Sequence, residues 1–176
     1  MNDTVDYDST IIRACPNYER FLTHVALLAP SDALVVSLGT GTGNLERKIF
    51  ENNGGDQTVI GVDKDEQALT RGRQKLLGYS FVPHVMDVAG REQVPKAPCV
   101  VSSLTLHHIA DADKPMVFQK IADALPDDGI FINYDIVRAE SPKEQQQFVE
   151  YLTSFMRTNR LPSWFIDEER EILNGR

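Results

Sequence analysis

Residues 35–45 read Val-Val-Ser-Leu-Gly-Thr-Gly-Thr-Gly-Asn-Leu, and no other stretch of the chain restricts the fold as much. An apolar run, Leu34-Val35-Val36-Ser37-Leu38, breaks into glycines at alternate positions, Gly39, Gly41 and Gly43. The run has the character of a buried strand. The glycines let the backbone turn sharply and approach a ligand with no Cβ in the way. Asn44 to Glu51 then reads as a short helix, closed by Asn52-Asn53-Gly54-Gly55. In sheets flanked by helices, such a loop lies at the carboxyl ends of the strands, where ligands bind. The spacing here is GxGxG. A dinucleotide fingerprint, GxGxxG, would need glycine at 44 or 46, and those positions are Asn44 and Glu46. The pattern demands close approach but lacks the small residue that packs helix against sheet. Taken alone it fits a ligand-free glycine turn equally well.

The rest of the chain supplies a context. Pro16 to Ala29 carries apolar residues at Phe21, Val25 and Leu28, a helical stripe, with Pro16 suited to the first turn and Pro30 following the end. Thr58 to Val62 is a second buried strand ending at Asp63. Asp65 through Leu77 reads as a helix with Leu69, Leu76 and Leu77 as its apolar contacts and Gly78 as its stop. Phe81 to Met86 is a weaker strand that Pro83 confines to a sheet edge. Cys99 to Ser103 is a fourth strand. Asp113 to Leu125 is a helix with Val117, Ile121 and Leu125 in contact, and Ile130 to Ile136 a fifth strand after the Pro126-Asp127-Asp128-Gly129 turn. Strands and helices alternate, which predicts an α/β fold: a doubly wound, mainly parallel sheet with helices on both faces.

Four places carry chemistry. The glycine turn is the first. Asp63 stands 20 residues after Gly43 at the end of the next strand, where a carboxylate can accept hydrogen bonds from both hydroxyls of a ribose. It can equally cap the following helix, although Asp65 is placed to do that. Asp87, after the third strand, can take the exocyclic amine of an adenine while the Val88 backbone N–H reads a ring nitrogen. A surface-turn aspartate is the plainer alternative. Ser102-Ser103-Leu104-Thr105-Leu106-His107-His108 follows the fourth strand. Adjacent residues project in different directions and no third ligand stands near the two histidines, so no metal is expected there. One histidine can serve as a general base, or the pair can pack and hydrogen-bond locally.

In this order and at these spacings, the segments resemble a class I S-adenosylmethionine-dependent methyltransferase of the small-molecule methyltransferase-domain group. Val36 to Gly43 is similar to that family's first motif and Gly61-Val62-Asp63 to its second. Asp87 matches its adenine-reading acid. Val100 to Ile109, followed by Asp111, Asp113, Lys114 and Pro115, is similar to a segment written S-S-x-x-L-H-H. Leu125 to Gly129 resembles the turn before strand five, and Tyr7-Asp8 and Pro16-Asn17-Tyr18 the segment that folds over the cofactor. The likeness covers residues 5 to 140.

The resemblance implies a Rossmann-like core over 31–140, an N-terminal cap segment and helix over 1–30, and a C-terminal helical segment over 141–176, in one domain overall. It implies cofactor contacts at Ser37, Gly39, Thr40, Gly41, Gly43, Asp63, Lys64, Asp87, Val88, Ser102, Ser103 and Tyr18, with S-adenosylmethionine as cofactor and S-adenosylhomocysteine as product. His107, then His108, is the candidate base for in-line displacement at the sulfonium methyl. Tyr7 or Tyr18 would close the site. Trp164, Phe165 and Phe155 either shape an acceptor pocket or pack helices. Two departures stand out. The family usually has Asp or Glu where this chain has Ser37, an acid that helps hold the methionine end of the cofactor. The family sheet also ends in an antiparallel hairpin, whereas the sequence after Ile136 reads as helix only: Pro142 to Arg157, then Ser163 to Leu173. Strand five would be an open edge unless these helices or a second subunit cover it, or unless the chain is a shortened form.

Composition narrows the partners. With 18 Lys plus Arg against 26 Asp plus Glu, the net charge of −8 disfavours nucleic acid. Arg71, Arg73 and Lys75 read as a solvated helix face. No apolar run approaches the ~20 residues of a membrane span, and Met1 to Asp8 is acidic without an apolar core, so the cytoplasm is the expected location. Cys15 and Cys99, with no CxxC pair, read as reduced and buried. The expected partner is a small-molecule acceptor, with a homodimer as one way to cover strand five. Two readings stand beside the methyltransferase: a degenerate or truncated S-adenosylmethionine-binding module acting through partners, and an NAD(P)-dependent oxidoreductase, which the glycine spacing disfavours.

Overall fold

A computed structural model describes residues 6–175. Met1–Val5, the first part of the acidic stretch Met1 to Asp8, and the terminal Arg176 lie outside the described residues. The chain forms two compact units, one of residues 20–136 and one combining the N-terminal residues through Glu19 with those from Val137 onward.

The unit of residues 20–136 is a parallel five-stranded sheet. Its strands are β1 (Val35–Leu38), β2 (Thr58–Asp63), β3 (Ser80–Val85), β4 (Cys99–Ser103) and β5 (Ile130–Tyr134). Their spatial order is β3-β2-β1-β4-β5. The chain runs outward from β1 through β2 to β3, returns to β4 on the other side of β1, and ends at β5. The direction of winding therefore reverses between β1 and β4, which is where an open parallel sheet forms a crevice at its carboxyl edge. Val35 pairs with both Val59 of β2 and Cys99 of β4, so β1 is buried along its whole length. Val36, Leu38, Val62 and Val100 form the middle of the core, with Val117, Ile121 and Ala124 packed on them. As Pro83 requires, β3 is an edge strand. β5 is the other edge.

Between the strands run α3 (Asn44–Asn52), α4 (Glu66–Lys75) and α5 (Lys114–Ala124). Asp65 caps α4, its Oδ1 accepting from the Gln67 and Ala68 N–H groups at 2.9 and 3.1 Å. Leu77 falls beyond this helix and is 77 % exposed, so it is not one of the apolar contacts that the sequence suggested. Cys99 is buried in β4, and burial pushes its thiol up to about 11. Gln57, itself buried, stitches the amino-terminal ends of β1 and β2 together. Its Nε2 donates to the Pro30 carbonyl and, at 3.0 Å, to the Ala33 carbonyl, while its Oε1 accepts from Asn53 Nδ2 at 2.8 Å.

Two more helices precede β1. α2 (Tyr18–Leu28) begins two residues later than the proline suggested, after Asn17 adopts a left-handed φ of 59°. Its buried positions are Tyr18, Leu22, Val25 and Ala26, followed by Ala29 just beyond its end. Phe21 and Leu28, two members of the expected stripe, are exposed; the i, i+3, i+4, i+7 pattern starts one residue on. Phe21 instead stacks its ring on Tyr134 of β5, with centroids 4.6 Å apart.

The other unit contains α1 (Tyr7–Ala14), which the sequence reading did not resolve as a helix, together with α6 (Pro142–Thr158) and α7 (Ser163–Gly175). Asp6 caps α1, and a reciprocal Ser141–Glu144 capping box starts α6. Arg13 of α1 donates through Nε to the Asn159 carbonyl beyond α6 at 2.9 Å. Cys15 is half-buried rather than buried. Trp164 is exposed, with Phe165 edge-on to its ring at 5.9 Å. Among the described residues no strand follows Tyr134, as the helical reading of the C-terminal segment anticipated. None of the helices described is long and apolar enough to cross a membrane.

Candidate functional site

The carboxyl ends of β1, β2 and β4 converge on the glycine turn. Gly39 has φ +71°, and a Cβ on it would overlap the Thr105 side chain, which reaches across from the segment after β4. Gly41 has φ +55° and nothing within 4 Å of where its Cβ would stand. The first glycine thus lets two loops touch, and the second leaves room for something outside the protein. The small residue that the GxGxG spacing lacks is supplied from elsewhere. Gly72 of α4 lies so close to the turn that its Cβ would stand 3.3 Å from the Gly41 carbonyl oxygen. Thr40 closes the turn by donating to the Ser37 carbonyl at 3.2 Å.

Asp63 braces this turn from the end of β2. Its Oδ2 accepts from the Gly41 N–H at 2.7 Å and its Oδ1 from the Asp65 N–H at 2.9 Å. Asp65 does the capping, so Asp63 keeps a fixed orientation. A carboxylate has about four acceptor sites, and two remain here for hydroxyl donors. Lys64 is exposed beside it. Asp87, exposed after β3, accepts at Oδ1 from the Ala89 N–H at 3.0 Å, a local turn. That turn is held from below by Lys120 of α5, whose buried Nζ donates to the Val88 carbonyl at 3.1 Å and to the Gly90 carbonyl. The Val88 side chain is buried.

Ser37 and Ser102 are buried within the sheet, and Ser102 Oγ donates to the Leu38 carbonyl at 3.3 Å, tying β4 to the end of β1. Ser103 is half-buried at the strand end. Tyr18, also buried, and Tyr7 belong to the other unit.

Glu46, in the first turn of α3, was rejected above only as a missing glycine. It is 0 % exposed, and among the described residues neither carboxylate oxygen has a hydrogen-bond partner. Burial holds its carboxyl well above the usual carboxylate value, against the opposing pull of the Ser37 and Thr40 hydroxyls and of the Lys75 charge. Lys75 Nζ is already bonded to Asn44 Oδ1 at 2.7 Å. No sequence signal marks Glu46, because an acid in a first helical turn is ordinarily a solvated partner of the helix dipole.

After β4 the chain passes through Leu104, which has φ +50°, into a single 3-10 turn over Leu106–His108. This carries His107 to Asp135, the residue after β5. Its Nδ1 lies 2.5 Å from Asp135 Oδ1, and its backbone N–H donates to Oδ2 at 3.1 Å. Burial alone would raise the Asp135 carboxyl, but the hydrogen bond and charge of His107 and the Ile136 and His107 N–H groups outweigh it and hold the carboxyl below its ordinary value. An ionised Asp135 makes Nδ1 the donor, so that in the neutral form of the ring Nε2 is the acceptor. His108 is exposed, and its ring centroid lies 4.0 Å from that of His107, so the two rings lie together rather than projecting apart. Among the described residues no three His, Cys, Asp or Glu side chains gather as a metal cluster.

A lowered folded-state carboxyl stabilises the protein above the ordinary value of 3.8 and surrenders that stability as the pH falls through the lowered value. Asp135→Asn is therefore expected to cost about 1–3 kcal/mol at neutral pH and to flatten the acid limb of a melting-temperature profile. An unchanged acid limb would remove the ion pair from the account.

Comparison with known proteins adds the following. A family model described as a methyltransferase domain matches residues 36–131. A carboxy-S-adenosyl-L-methionine synthase of Nitratiruptor sp. is 27% identical over 175 residues, 96% of this chain and 73% of that protein. An uncharacterized methyltransferase of Geobacillus sp. is 32% identical over 124 residues, 68% of this chain and 54% of that protein. A solved S-adenosylmethionine-dependent methyltransferase of Mesorhizobium loti superposes with a TM-score of 0.53 at 24% identity, over 62% of this chain and 50% of the other. The chain thus spans about half the length of that solved structure, whose likeness lies in the fold.

Proposed function

The chain belongs to the methyltransferase-domain family, and from that membership we propose that it binds S-adenosylmethionine at the carboxyl edge of its sheet and moves the methyl group to a small-molecule acceptor. One observation carries the reading: a glycine turn with open space at Gly41, locked by a carboxylate, Asp63, that still has acceptor sites free. The cofactor supplies a methyl group already activated on sulfur.

Within that reading, residues 31–140 form the binding core. Asp63 accepts from the ribose hydroxyls. Asp87 and the Val88 N–H read the adenine, on a turn that Lys120 fixes. Gly39, Thr40, Gly41 and Gly43 line the methionine arm with backbone, beside Ser37 and Lys64. Ser102 acts by holding the end of β1 in place, and Ser103 lies nearer the ligand. His107, oriented by Asp135, accepts a proton at Nε2 from an acceptor that needs deprotonating. The net charge of −8 favours a small acceptor over a polyanion. The β5 edge is where a second copy would pair, and the mass in solution tests that.

A second reading is favoured by the likeness to the Nitratiruptor protein over 96% of this chain: S-adenosylmethionine is itself the molecule modified. Titration calorimetry with S-adenosylmethionine, S-adenosylhomocysteine and NAD as control comes first. Binding of the two sulfur nucleosides and not of NAD is expected, and failure of both to bind overturns the proposal. Mass spectrometry after incubation with small-molecule acceptors and carboxylic acids then divides the readings. S-adenosylhomocysteine with a methylated acceptor supports the first; a carboxylated S-adenosylmethionine supports the second and overturns the first.

A further inference from the structure

The most anomalous group in the molecule is Glu46. A carboxylate that is fully buried and has neither oxygen bonded is destabilising unless something supplies donors. Its position says where they come from. It stands three residues after Gly43, on the first turn of α3, and it faces the hydroxyls of Ser37 at the end of β1 and of Thr40 in the glycine turn. It therefore lies beside the glycine turn that leaves open space at Gly41. Lys75 acts on it as a charge, with its own ammonium donating to Asn44 Oδ1.

We propose that Glu46 is the acid that receives the cationic ammonium of the amino-acid arm of the bound nucleoside, with Ser37 and Thr40 as neutral lining beside it. The carboxylate is thereby delivered from the helix rather than from the strand position, 37, where this chain has serine. The inference rests on the proposed S-adenosylmethionine site. Of the groups on such a ligand, the ammonium has the three N–H donors that two orphaned carboxylate oxygens can use. The ligand's own carboxylate would be repelled there and must point elsewhere.

The test separates the amino-acid arm from the nucleoside. Affinities are measured by titration calorimetry for S-adenosylhomocysteine and for 5′-methylthioadenosine, which lacks the amino-acid carbons, on the native chain and on Glu46→Gln. Loss of about 10- to 100-fold for S-adenosylhomocysteine, with 5′-methylthioadenosine unchanged, is the expected result. Moving the acid back to the strand in the double variant S37D/E46Q is expected to recover part of that loss. Equal S-adenosylhomocysteine affinity in native and Glu46→Gln protein overturns the proposal, as does a parallel loss for both ligands. If Glu46→Gln does not fold, the native chain still decides. An analogue of S-adenosylhomocysteine that lacks only the amino group then binds the native chain about 10- to 100-fold more weakly than S-adenosylhomocysteine itself. Equal affinity for the two overturns the proposal. Should the native chain bind neither nucleoside, the cofactor reading itself falls and takes this inference with it; nucleoside binding without an effect at Glu46 removes the inference alone.

Discussion

Asp63→Ala is expected to weaken S-adenosylhomocysteine binding by about 1,000-fold, roughly 4 kcal/mol and more than the about 1.5–3 kcal/mol of a single lost hydrogen bond to a charged group. The excess comes from the two tasks the side chain performs. One is recognition, since both ribose hydroxyls would lose their acceptor. The other is construction: the carboxylate holds the Gly41 N–H at 2.7 Å and the Asp65 N–H at 2.9 Å, so its removal loosens the turn on which the rest of the ligand lies. 5′-Methylthioadenosine should suffer equally, because it keeps the ribose. Asp63→Asn retains one acceptor oxygen and should fall between the two. Calorimetric titration of the three proteins reads this directly, and an affinity within a factor of about two of native in Asp63→Ala would end the ribose assignment.

Gly39→Ala and Gly41→Ala should fail in opposite ways. Both positions have left-handed backbone, where a Cβ costs about 1–2 kcal/mol. At Gly39 the new methyl group also runs into Thr105, whose hydroxyl donates to the Ser103 carbonyl at 2.9 Å and cannot move freely. Overpacking adds about 1–3 kcal/mol, so Gly39→Ala should lose about 2–5 kcal/mol, a large share of a small domain's stability. At Gly41 the methyl group meets nothing. Gly41→Ala should stay folded, with only the backbone cost, and lose ligand affinity because the methyl group occupies the ligand's side of the turn. Denaturant unfolding and calorimetry on both variants check this. Equal stability loss at the two positions, or full binding by Gly41→Ala, would remove the distinction.

Much of this was legible in the sequence because the signals were local. Pro83 cannot donate to a ladder, and β3 is at the edge. Asp65 precedes a helical run, and it caps α4. The apolar runs at 35–38, 58–62 and 99–103 became neighbouring strands, since a strand buried on both faces has few other compositions. The misreadings were equally physical. In α2 the exposed Phe21 and Leu28 gave as good a helical period as the buried residues one step along, and Phe21 has a ring partner, Tyr134, that periodicity cannot reveal. Asp135 was missed because its partner His107 is 28 residues away in sequence. Strand register only brings the two segments together: Ser103 pairs with Tyr134, and it takes the turn at Leu106–His108 to carry His107 on to Asp135. Glu46 was invisible because nothing in a sequence distinguishes a buried helix-start acid from a solvated one.

Gln57 gives the sheet a mechanical polarity. One buried side chain ties the Pro30 and Ala33 carbonyls and Asn53 together where β1 and β2 begin. At the opposite edge of the sheet the chain emerges in turns, each pinned by one side chain: Gly39 to Gly43 after β1 by Asp63, Asp87 to Gly90 after β3 by Lys120, Leu104 to His108 after β4 by Asp135. Backbone adjustment is cheapest where ladder bonds have ended. The sheet is thus clamped at one end and pinned turn by turn at the other, and the compliance that a ligand needs to enter and seat lies between those pins, at the end at which it arrives.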